Sequence, residues 1–268
     1  MRIEVAYRAS PYTTANYLVA AFRALGHEVC PTGQGHEGPF FIDPDLFVWV
    51  ESGGGIPATI NMHIATCPSI AWFLDGHSQG GWHKDFARAF THVYSAQKYD
   101  VGEWLPVACD ADVHTPDAGI EPTHDVVFVG HLYAQSPWYE KRRMMLRSLA
   151  QRYDPCVVEG AYCHDMANAH ATGRVVLNIG TLGDLNMRVF EGLCSGRPLV
   201  TDDSPGLGVL FTEGEHLLAY TNERELCSAI DYLLANPDKA SAMGARGREA
   251  VLAGHTYQDR ARRMLCGL

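Results

Sequence analysis

Short apolar runs recur along the chain, and each is followed by glycine or polar residues and then by a helical pattern. Residues 46–50, 69–74 and 125–129 have the length and composition of strands that are buried on both faces of a sheet. Strands that alternate with helices form parallel sheets with right-handed crossovers. This alternation restricts the chain to α/β folds and places polar loop residues at the carboxyl ends of the strands.

The length of the chain and a change in its composition predict two domains. A chain of 268 residues can form two small hydrophobic cores. Residues 108–124 interrupt the strand and helix pattern with prolines and short polar residues, as is typical of a linker. We therefore predict a first domain over residues 1–107, a linker over residues 108–124 and a second domain over residues 125–268.

The overall composition is that of an ordered globular protein, with 47% hydrophobic and 19% charged residues. A formal net charge of −10 argues against a broad nucleic-acid-binding surface, because phosphate binding needs a basic one. The eight cysteines include no Cys-x-x-Cys pair, so neither a zinc knuckle nor a redox motif is predicted. No apolar run approaches the roughly 18–20 residues of a membrane span. We expect an unprocessed cytoplasmic protein with reduced thiols and no membrane span.

The stretch over residues 186–198 carries the strongest functional signal. Its apolar residues recur at helical spacing: Met187, Phe190, Leu193 and Cys194. Arg188 and Glu191, three residues apart, share another face of the same predicted helix. Gly196 and Pro198 end the helix before a short buried strand. A charged pair on a helix beside the carboxyl edge of an α/β sheet is where such folds bind nucleotides, although an i,i+3 surface ion pair is an alternative interpretation.

This stretch resembles the sugar-nucleotide motif of glycosyltransferases with the GT-B architecture, and is most similar to their CgeB-like group. Further motifs of that group occur in its order and spacing, at residues 104–110, 128–130, 210–216, 226–237 and 255–260. The resemblance covers residues 90–268 well and the first 90 residues only loosely. It implies two Rossmann-like parallel-sheet domains that face a cleft, with an acceptor domain first and a nucleotide-sugar donor domain second. In GT-B proteins the final helix often crosses back onto the first domain.

The activity implied by the resemblance is transfer of a sugar from a nucleoside diphosphate sugar to an acceptor, without an obligatory metal or other cofactor. A UDP-sugar is the expected donor because UDP is the commonest carrier in such enzymes. The acceptor stays open: a polymer, a protein, a small molecule and a modified nucleobase are all compatible with the sequence. Two alternatives share the fold, namely a nucleotide-sugar epimerase or hydrolase, and a non-catalytic nucleotide-sugar-binding protein.

The resemblance also implies the donor-binding residues. Gly130 would lie against the phosphates, Arg188 would neutralise the diphosphate, and Glu191 would accept hydrogen bonds from the two ribose hydroxyls. His131 follows Gly130 and could hydrogen-bond the sugar or a phosphate. Polar residues of the loop before the motif helix face the donor, and Thr181 is one of them. Asn186 is another.

A basic cluster near the start of a predicted helix supplies one more candidate. A helix N-terminus attracts anions, and a guanidinium can bind a diphosphate through two hydrogen bonds. Of Lys141, Arg142 and Arg143, we choose Arg142 for that role. A solvated helix face is the competing interpretation of the cluster.

One departure from related families concerns catalysis. Retaining members have a glutamate eight residues before the ribose-binding one, and Gly183 occupies that position here. We therefore assign no catalytic carboxylate in this loop, and the stereochemical course stays open. Asp75 and His77 follow a predicted strand of the first domain and are the candidate bases for the acceptor hydroxyl. A helix-capping Asp and an exposed His are the competing interpretation.

The sequence Asp110-Ala111-Asp112 superficially resembles the Asp-x-Asp metal motif of another glycosyltransferase architecture. It falls in the predicted linker, so we predict no metal site there. Three successive glycines at residues 53–55 follow a predicted strand and could let a ligand approach the backbone closely, or form a sharp turn.

Overall fold

The structure is a computed structural model that describes residues 1–36, 41–52, 66–79, 81–133 and 135–268, without the side chains of His77, Gln79 and Trp138. The glycines at residues 53–55 lie outside the described residues. The chain divides into two compact units. The first contains residues 1–107 together with residues 257–268, and the second contains residues 108–256.

The first unit is built on a six-stranded parallel sheet with the strand order β2-β1-β3-β4-β5-β6. Its strands are β1 (Arg2–Ala6), β2 (Glu28–Thr32), β3 (Leu46–Val50), β4 (Ser69–Phe73), β5 (His92–Ser95) and β6 (Glu103–Trp104). All residues of β3 and β4 are buried, which explains why the sequence shows them as continuous apolar runs.

Helices pack against this sheet and complete the first unit. They are α1 (Thr14–Ala24), the short α2 (Gly76–Gln79) and α3 (His83–Ala87), and the C-terminal α11 (Tyr257–Cys266). Tyr257 of α11 stacks on Tyr17 of α1 with ring centroids 5.1 Å apart. Arg260 donates hydrogen bonds to the carbonyls of Pro106 and Val107, so α11 is fixed to the last segment of its unit.

The second unit is built on a five-stranded parallel sheet with the order β11-β10-β9-β7-β8. Its strands are β7 (His124–Val129), β8 (Pro155–Val158), β9 (Gly173–Asn178), β10 (Leu199–Asp202) and β11 (Leu218–Tyr220). Its helices are α4 (Ala111–His114), α5 (Glu140–Leu149), α6 (Cys163–Ala171), α7 (Met187–Cys194), α8 (Leu207–Leu210), α9 (Glu223–Ala235) and α10 (Pro237–Gly254). A 3-10 turn over Pro137–Tyr139 precedes α5.

The order of the strands in the second unit locates the candidate site. The chain passes from β7 to β8 on one side and then to β9 on the other, so the topology reverses between β7 and β9. Ligands of open α/β sheets bind in the crevice outside the carboxyl ends of the strands at such a reversal. Residues 130 and 131 follow β7, and residues 179–186 follow β9 and precede α7.

The predicted alternation of strands and helices is confirmed in both units, and the strand at residues 46–50 has the predicted bounds. Two segments differ in the kind of secondary structure that was predicted for them. The helix expected from about residue 137 begins as α5 at Glu140, after the 3-10 turn. The predicted linker contains α4, in which the Asp110 carboxylate accepts the backbone N–H of Asp112 and so caps the helix. No helix among the described residues is long and apolar enough to cross a membrane.

Candidate functional site

Gly130 directly follows β7 of the second unit, and its N–H donates to the carbonyl of Val158 at 3.0 Å. A Cβ atom on residue 130 would stand 2.9 Å from the ring of Phe128 and 3.1 Å from Nε of Arg188. The absence of a side chain therefore lets Arg188 lie directly against this backbone. The structure brings together two predicted site residues that are 58 positions apart in the sequence (188 − 130).

Arg188 is a half-buried cation near the start of α7. Its guanidinium makes no hydrogen bond or close ion pair with any residue in the described part of the chain. The positive charge of Arg188 nevertheless affects its surroundings. Burial is the largest cause of the lowered pKa of His131 and of His170, and the charge of Arg188 lowers both pKa values further. Arg188 is thus a source of positive potential at the carboxyl edge of the sheet, without a bound counter-charge.

Glu191 lies one turn further along α7, and only 3% of its surface is exposed. Burial raises the pKa of this carboxyl to about 7, against the opposing charge of Arg188. Among the described residues no hydrogen bond to the Glu191 carboxylate is found. The alternative interpretation as a surface ion pair between Arg188 and Glu191 is therefore wrong, because Glu191 is buried and does not contact Arg188 at ion-pair distance.

The sequence did not single out His114, which lies near Glu191, or His170, whose pKa is affected by His114 and Arg188. Nδ1 of His114 accepts the backbone N–H of Asp110 at 3.0 Å, so its ring carries the proton on Nε2, which lies 3.6 Å from Oε1 of Glu191. Burial lowers the pKa of His114 to about 4 and that of His170 to about 3. Both rings are therefore neutral near pH 7, and the His114–Glu191 approach is not a salt bridge.

Arg142 is 2% exposed and spans the topological reversal of the second unit. Its Nε and Nη2 donate to the carbonyl of Ile179 at 3.0 and 2.6 Å, and Nη1 donates to the carbonyl of His131 at 2.8 Å. The guanidinium therefore ties the loop after β7 to the loop after β9. Three of the five N–H groups of the guanidinium are used in these bonds, so the main role that this geometry gives Arg142 is to hold the two loops, and the diphosphate contact stays a prediction.

The guanidinium of Arg143 also binds backbone carbonyls of the loop after β7. It donates to the carbonyls of Leu132, Tyr133 and Ser136, and it pairs with the exposed Glu140. The competing interpretation of the cluster as a purely solvated helix face is therefore wrong for its two arginines, which hold the loop after β7.

The loop after β9 is organised by the Asp184 carboxylate. Oδ1 of Asp184 accepts the N–H of Thr181 at 2.8 Å and the side-chain amide of Asn186 at 3.5 Å. Asn186 also caps α7, since its Oδ1 accepts the N–H of Arg188 at 3.1 Å. Thr181 and Asn186 are thus brought together, with their main contacts inside the loop. Leu182 and Gly183 follow with positive φ angles of 56° and 75°.

His131 is half-buried in the loop after β7. Its ring stacks on Tyr133 with centroids 4.7 Å apart, and its Nε2 lies 3.1 Å from the hydroxyl of Tyr162. Burial and the charge of Arg188 lower its pKa. A neutral ring between two tyrosines at this edge can donate or accept one hydrogen bond, depending on the tautomer.

Asp75 lies in the first unit, in the loop that leads from β4 into α2. Its backbone N–H donates to the Glu51 carboxylate at 2.8 Å, and its carbonyl accepts the N–H of Ser78 at 2.9 Å. His77 follows in α2, but its side chain lies outside the described part of the chain. An open pocket of the second unit, lined by β11 and α9, contains none of the predicted site residues. No three His, Cys, Asp or Glu side chains of the described residues form a metal site.

Comparison with solved structures places the two parallel-sheet units in a known class. Sucrose-phosphate synthase from Thermosynechococcus elongatus superposes with a TM-score of 0.65 at 14% identity, covering 99% of this chain and 97% of that one. HepE from Anabaena, solved with UDP-glucose, gives 0.68 at 11% identity and full coverage of both chains. A glycosyltransferase from Rickettsia africae gives 0.62 at 9% identity, with 98% and 96% coverage. The fold is GT-B.

The family follows from the sequence itself. Residues 126–266, just over half of the chain, match the model of the family described as glycosyl transferase-like. The chain belongs to this glycosyl transferase-like family and is a glycosyltransferase. A search of the curated proteins finds no match.

Proposed function

We propose that the protein transfers a glycosyl group from a UDP-sugar to an acceptor nucleophile. One observation carries the proposal. Glu191 is a buried carboxylate without a hydrogen bond from the described residues, and Arg188, one helical turn away, is a cation without a bound counter-charge. A buried acceptor without a hydrogen bond is costly unless a ligand supplies the donor, and a half-buried cation beside it is placed to attract an anion.

A nucleoside diphosphate has the two groups that these side chains lack. Its ribose carries two neighbouring hydroxyls, which donate hydrogen bonds to the two oxygens of one carboxylate. Its diphosphate is an anion that a guanidinium binds through two parallel hydrogen bonds. We assign the ribose to Glu191 and the diphosphate to Arg188, with Gly130 leaving room for the phosphates. UDP is proposed as the nucleotide because HepE, which shares the fold, is solved with UDP and UDP-glucose.

The proposed reaction breaks the bond between the anomeric carbon and the diphosphate oxygen, and the electron pair leaves with UDP. Arg188 and the N–H groups at the start of α7 stabilise this developing charge, so the proposal requires no metal. The acceptor oxygen forms the new bond to the anomeric carbon as its proton passes to Asp75, the proposed base. Thr181, Asn186, His131 and Arg142 shape the loops around the donor. The side chains of Asn186 and His131 already make hydrogen bonds within the protein, whereas Thr181 is held through its backbone N–H.

None of the eight cysteines, all of which lie in the described part of the chain, forms a disulfide, and this supports a reducing, cytoplasmic location as part of the proposal. The proposed acceptor is a polymer, a protein, a small molecule or a modified nucleobase, as in the sequence analysis. The base assignment includes His77 as the second candidate.

Calorimetric titration of the wild type with UDP, 2′-deoxy-UDP and uridine tests the donor assignment. We expect UDP to bind most tightly. Glu191→Gln should abolish the preference for UDP over 2′-deoxy-UDP, because the amide accepts only one of the two hydroxyl bonds. Arg188→Gln should abolish the preference for UDP over uridine. At about 100 times its Kd, UDP should stabilise the wild type by roughly 2.7 kcal/mol in thermal unfolding.

Two exposed residues of the same unit provide matched controls, Glu249→Gln and Arg224→Gln, which should bind all three ligands as the wild type does. The proposal fails if Glu191→Gln and Arg188→Gln retain the wild-type preferences, or if no uridine nucleotide binds the wild type.

A further inference from the structure

A buried cluster of three ionisable side chains lies in the first unit, outside the donor site. His83, at the start of α3, is fully buried. Its Nδ1 lies 2.7 Å from Oδ2 of Asp100, and its Nε2 lies 3.0 Å from Oε1 of Glu51. Glu51 follows β3 and is 1% exposed, whereas Asp100 follows β5. The three residues come from three separate segments of the chain.

The contacts define the charge of the imidazole. An ionised carboxylate oxygen only accepts hydrogen bonds, so each ring nitrogen must carry a proton to bond its partner. His83 is therefore an imidazolium between two carboxylates, which are the charged groups that face it. The rings of Phe73 and Trp82, with centroids 4.3 and 4.6 Å from that of His83, cover the cluster. Charge-assisted hydrogen bonds in such apolar surroundings are short and hold their groups firmly.

The cluster is connected directly to the loop that carries Asp75. The second carboxylate oxygen of Glu51, Oε2, accepts the backbone N–H of Leu74 at 2.6 Å and that of Asp75 at 2.8 Å. Gly76 packs against the Asp100 carboxylate so closely that a Cβ atom on residue 76 would collide with it. Glu51 thus holds residues 74 and 75 by hydrogen bonds, Asp100 packs against residue 76, and His83 joins the two carboxylates.

We propose that His83 is a positioning residue of the transfer reaction: through Glu51 and Asp100 it fixes the backbone of residues 74–76 and so places Asp75. The proposal rests on the proposed function, in which Asp75 is the base. Removing the imidazolium leaves two neighbouring buried carboxylates without their shared cation, and these then repel each other. The expected consequence is a loop that loses its fixed conformation while the sheet beneath it persists.

The first test needs no substrate. Amide hydrogen exchange is followed in the wild type, in His83→Gln and in the control His92→Gln, which replaces a half-buried histidine of β5. In His83→Gln the amides of Leu74 and Asp75 should exchange at least roughly tenfold faster, a change typical of local opening, while those of β3 and β4 keep their protection. A uniform loss of protection, or none at Leu74 and Asp75, overturns the positioning role.

If His83→Gln does not fold, Asp100→Asn provides the same test, because it removes one of the two carboxylates and leaves the Glu51–His83 bond in place. In addition, the 15N spectrum of the histidine rings should show both nitrogens of His83 protonated near neutral pH in the wild type. A singly protonated ring contradicts the imidazolium.

The second test measures UDP released from UDP-glucose with water as the acceptor, in the wild type, His83→Gln, Asp75→Asn and the double variant. A general base contributes roughly 100-fold or more to kcat, so Asp75→Asn should lose that factor. His83→Gln should lower kcat at least roughly tenfold with KM for UDP-glucose unchanged, and should add nothing in the Asp75→Asn background, because it acts through Asp75.

The outcomes separate the two proposals. Effects of His83→Gln and Asp75→Asn that multiply in the double variant overturn the positioning role and leave the base assignment intact. An Asp75→Asn variant as active as the wild type overturns the base assignment of the proposed function, whatever the exchange data show.

Discussion

Nε of Arg188 lies 3.1 Å from the point where a Cβ atom of Gly130 would stand, so the end of β7 and the start of α7 meet without an intervening side chain. The two residues come from elements on either side of the topological reversal of the second unit. The glycine is therefore required by the position of a guanidinium, and not only by a turn.

Gly130→Ala tests this requirement. Its φ is not in the left-handed region, so alanine is compatible with the backbone, and the added methyl must displace Arg188 or the Phe128 ring. Because Arg188 is the more flexible of the two, we expect UDP to bind at least roughly tenfold more weakly, with a loss of unfolding free energy of about 1 kcal/mol. Calorimetry and urea unfolding measure the two effects. Gly208→Ala, where a Cβ meets nothing within 4 Å, is the control. Unchanged UDP binding would show that Arg188 need not lie where the structure has it.

Arg142→Lys tests whether the guanidinium holds two loops in place. An ammonium group cannot bond the carbonyls of Ile179 and His131 with the geometry of the guanidinium, so at least one buried carbonyl loses its donor. We expect a loss of about 2 to 3 kcal/mol in the free energy of unfolding, measured by urea denaturation. UDP should also bind more weakly, because both loops border the donor site. The exposed Lys141→Ala should change neither quantity. A stable Arg142→Lys protein that binds UDP less well would instead favour a direct diphosphate contact.

Gly183→Ala tests the turn that stands where retaining members of related families are expected to have a glutamate. Residues 182 and 183 both have positive φ, and the N–H of Asp184 closes the turn onto the carbonyl of Thr181 at 3.2 Å. An L-residue at φ 75° is strained, so alanine should cost about 1 to 2 kcal/mol of unfolding free energy. Gly183→Asn should cost less, because asparagine tolerates this region better. Equal stabilities of the alanine and asparagine variants would contradict the turn. The same strain opposes a glutamate here.

Much of this architecture could be predicted from the sequence, because its signals are local. The fully buried strands β3 and β4 and the buried part of β7 appear as apolar runs, and the periodicity of residues 187–194 identifies the motif helix with Arg188 and Glu191. Glycine and proline end elements where their backbone preferences require it. These features depend on neighbours in the chain, so periodicity and turn chemistry are sufficient to find them.

The features that could not be predicted depend on contacts between segments that are distant in the sequence. His83 meets Glu51 from 32 residues away, and the Arg142 guanidinium reaches the carbonyl of Ile179 across 37 residues. Nothing near Arg142 in the sequence distinguishes a guanidinium that binds carbonyls from one that binds a phosphate. His114 lies in a segment that resembles a linker, and only the packing of α4 against α6 and α7 brings it to Glu191. The sequence did contain a signal for α4, because Asp110 is a residue type that commonly caps helices and it directly precedes this helix.

The ionisation of Glu191 predicts opposite pH dependences for stability and for donor binding. Burial raises its pKa from 4.5 to about 7, so between these values the native state binds more protons than the unfolded state. The free energy of unfolding therefore falls as the pH rises through this window. Relative to that of Glu191→Gln, the free energy of unfolding of the wild type should fall by on the order of 2 to 3 kcal/mol between about pH 5 and about pH 8. Urea unfolding at each pH measures this difference.

Binding of UDP-glucose should change in the other direction. Glu191 accepts both ribose hydroxyls only as the carboxylate, so affinity should rise on the order of tenfold from about pH 6 to about pH 8, while Glu191→Gln shows no such rise. UDP-glucose is the suitable probe because both of its phosphates are diesters and do not titrate in this range. The neighbouring histidines do not add to the effect, since burial keeps the pKa of His114 near 4 and that of His170 near 3. An affinity that falls with pH, or a rise retained in Glu191→Gln, would mean that another group controls binding and that the ribose does not rest on this carboxylate.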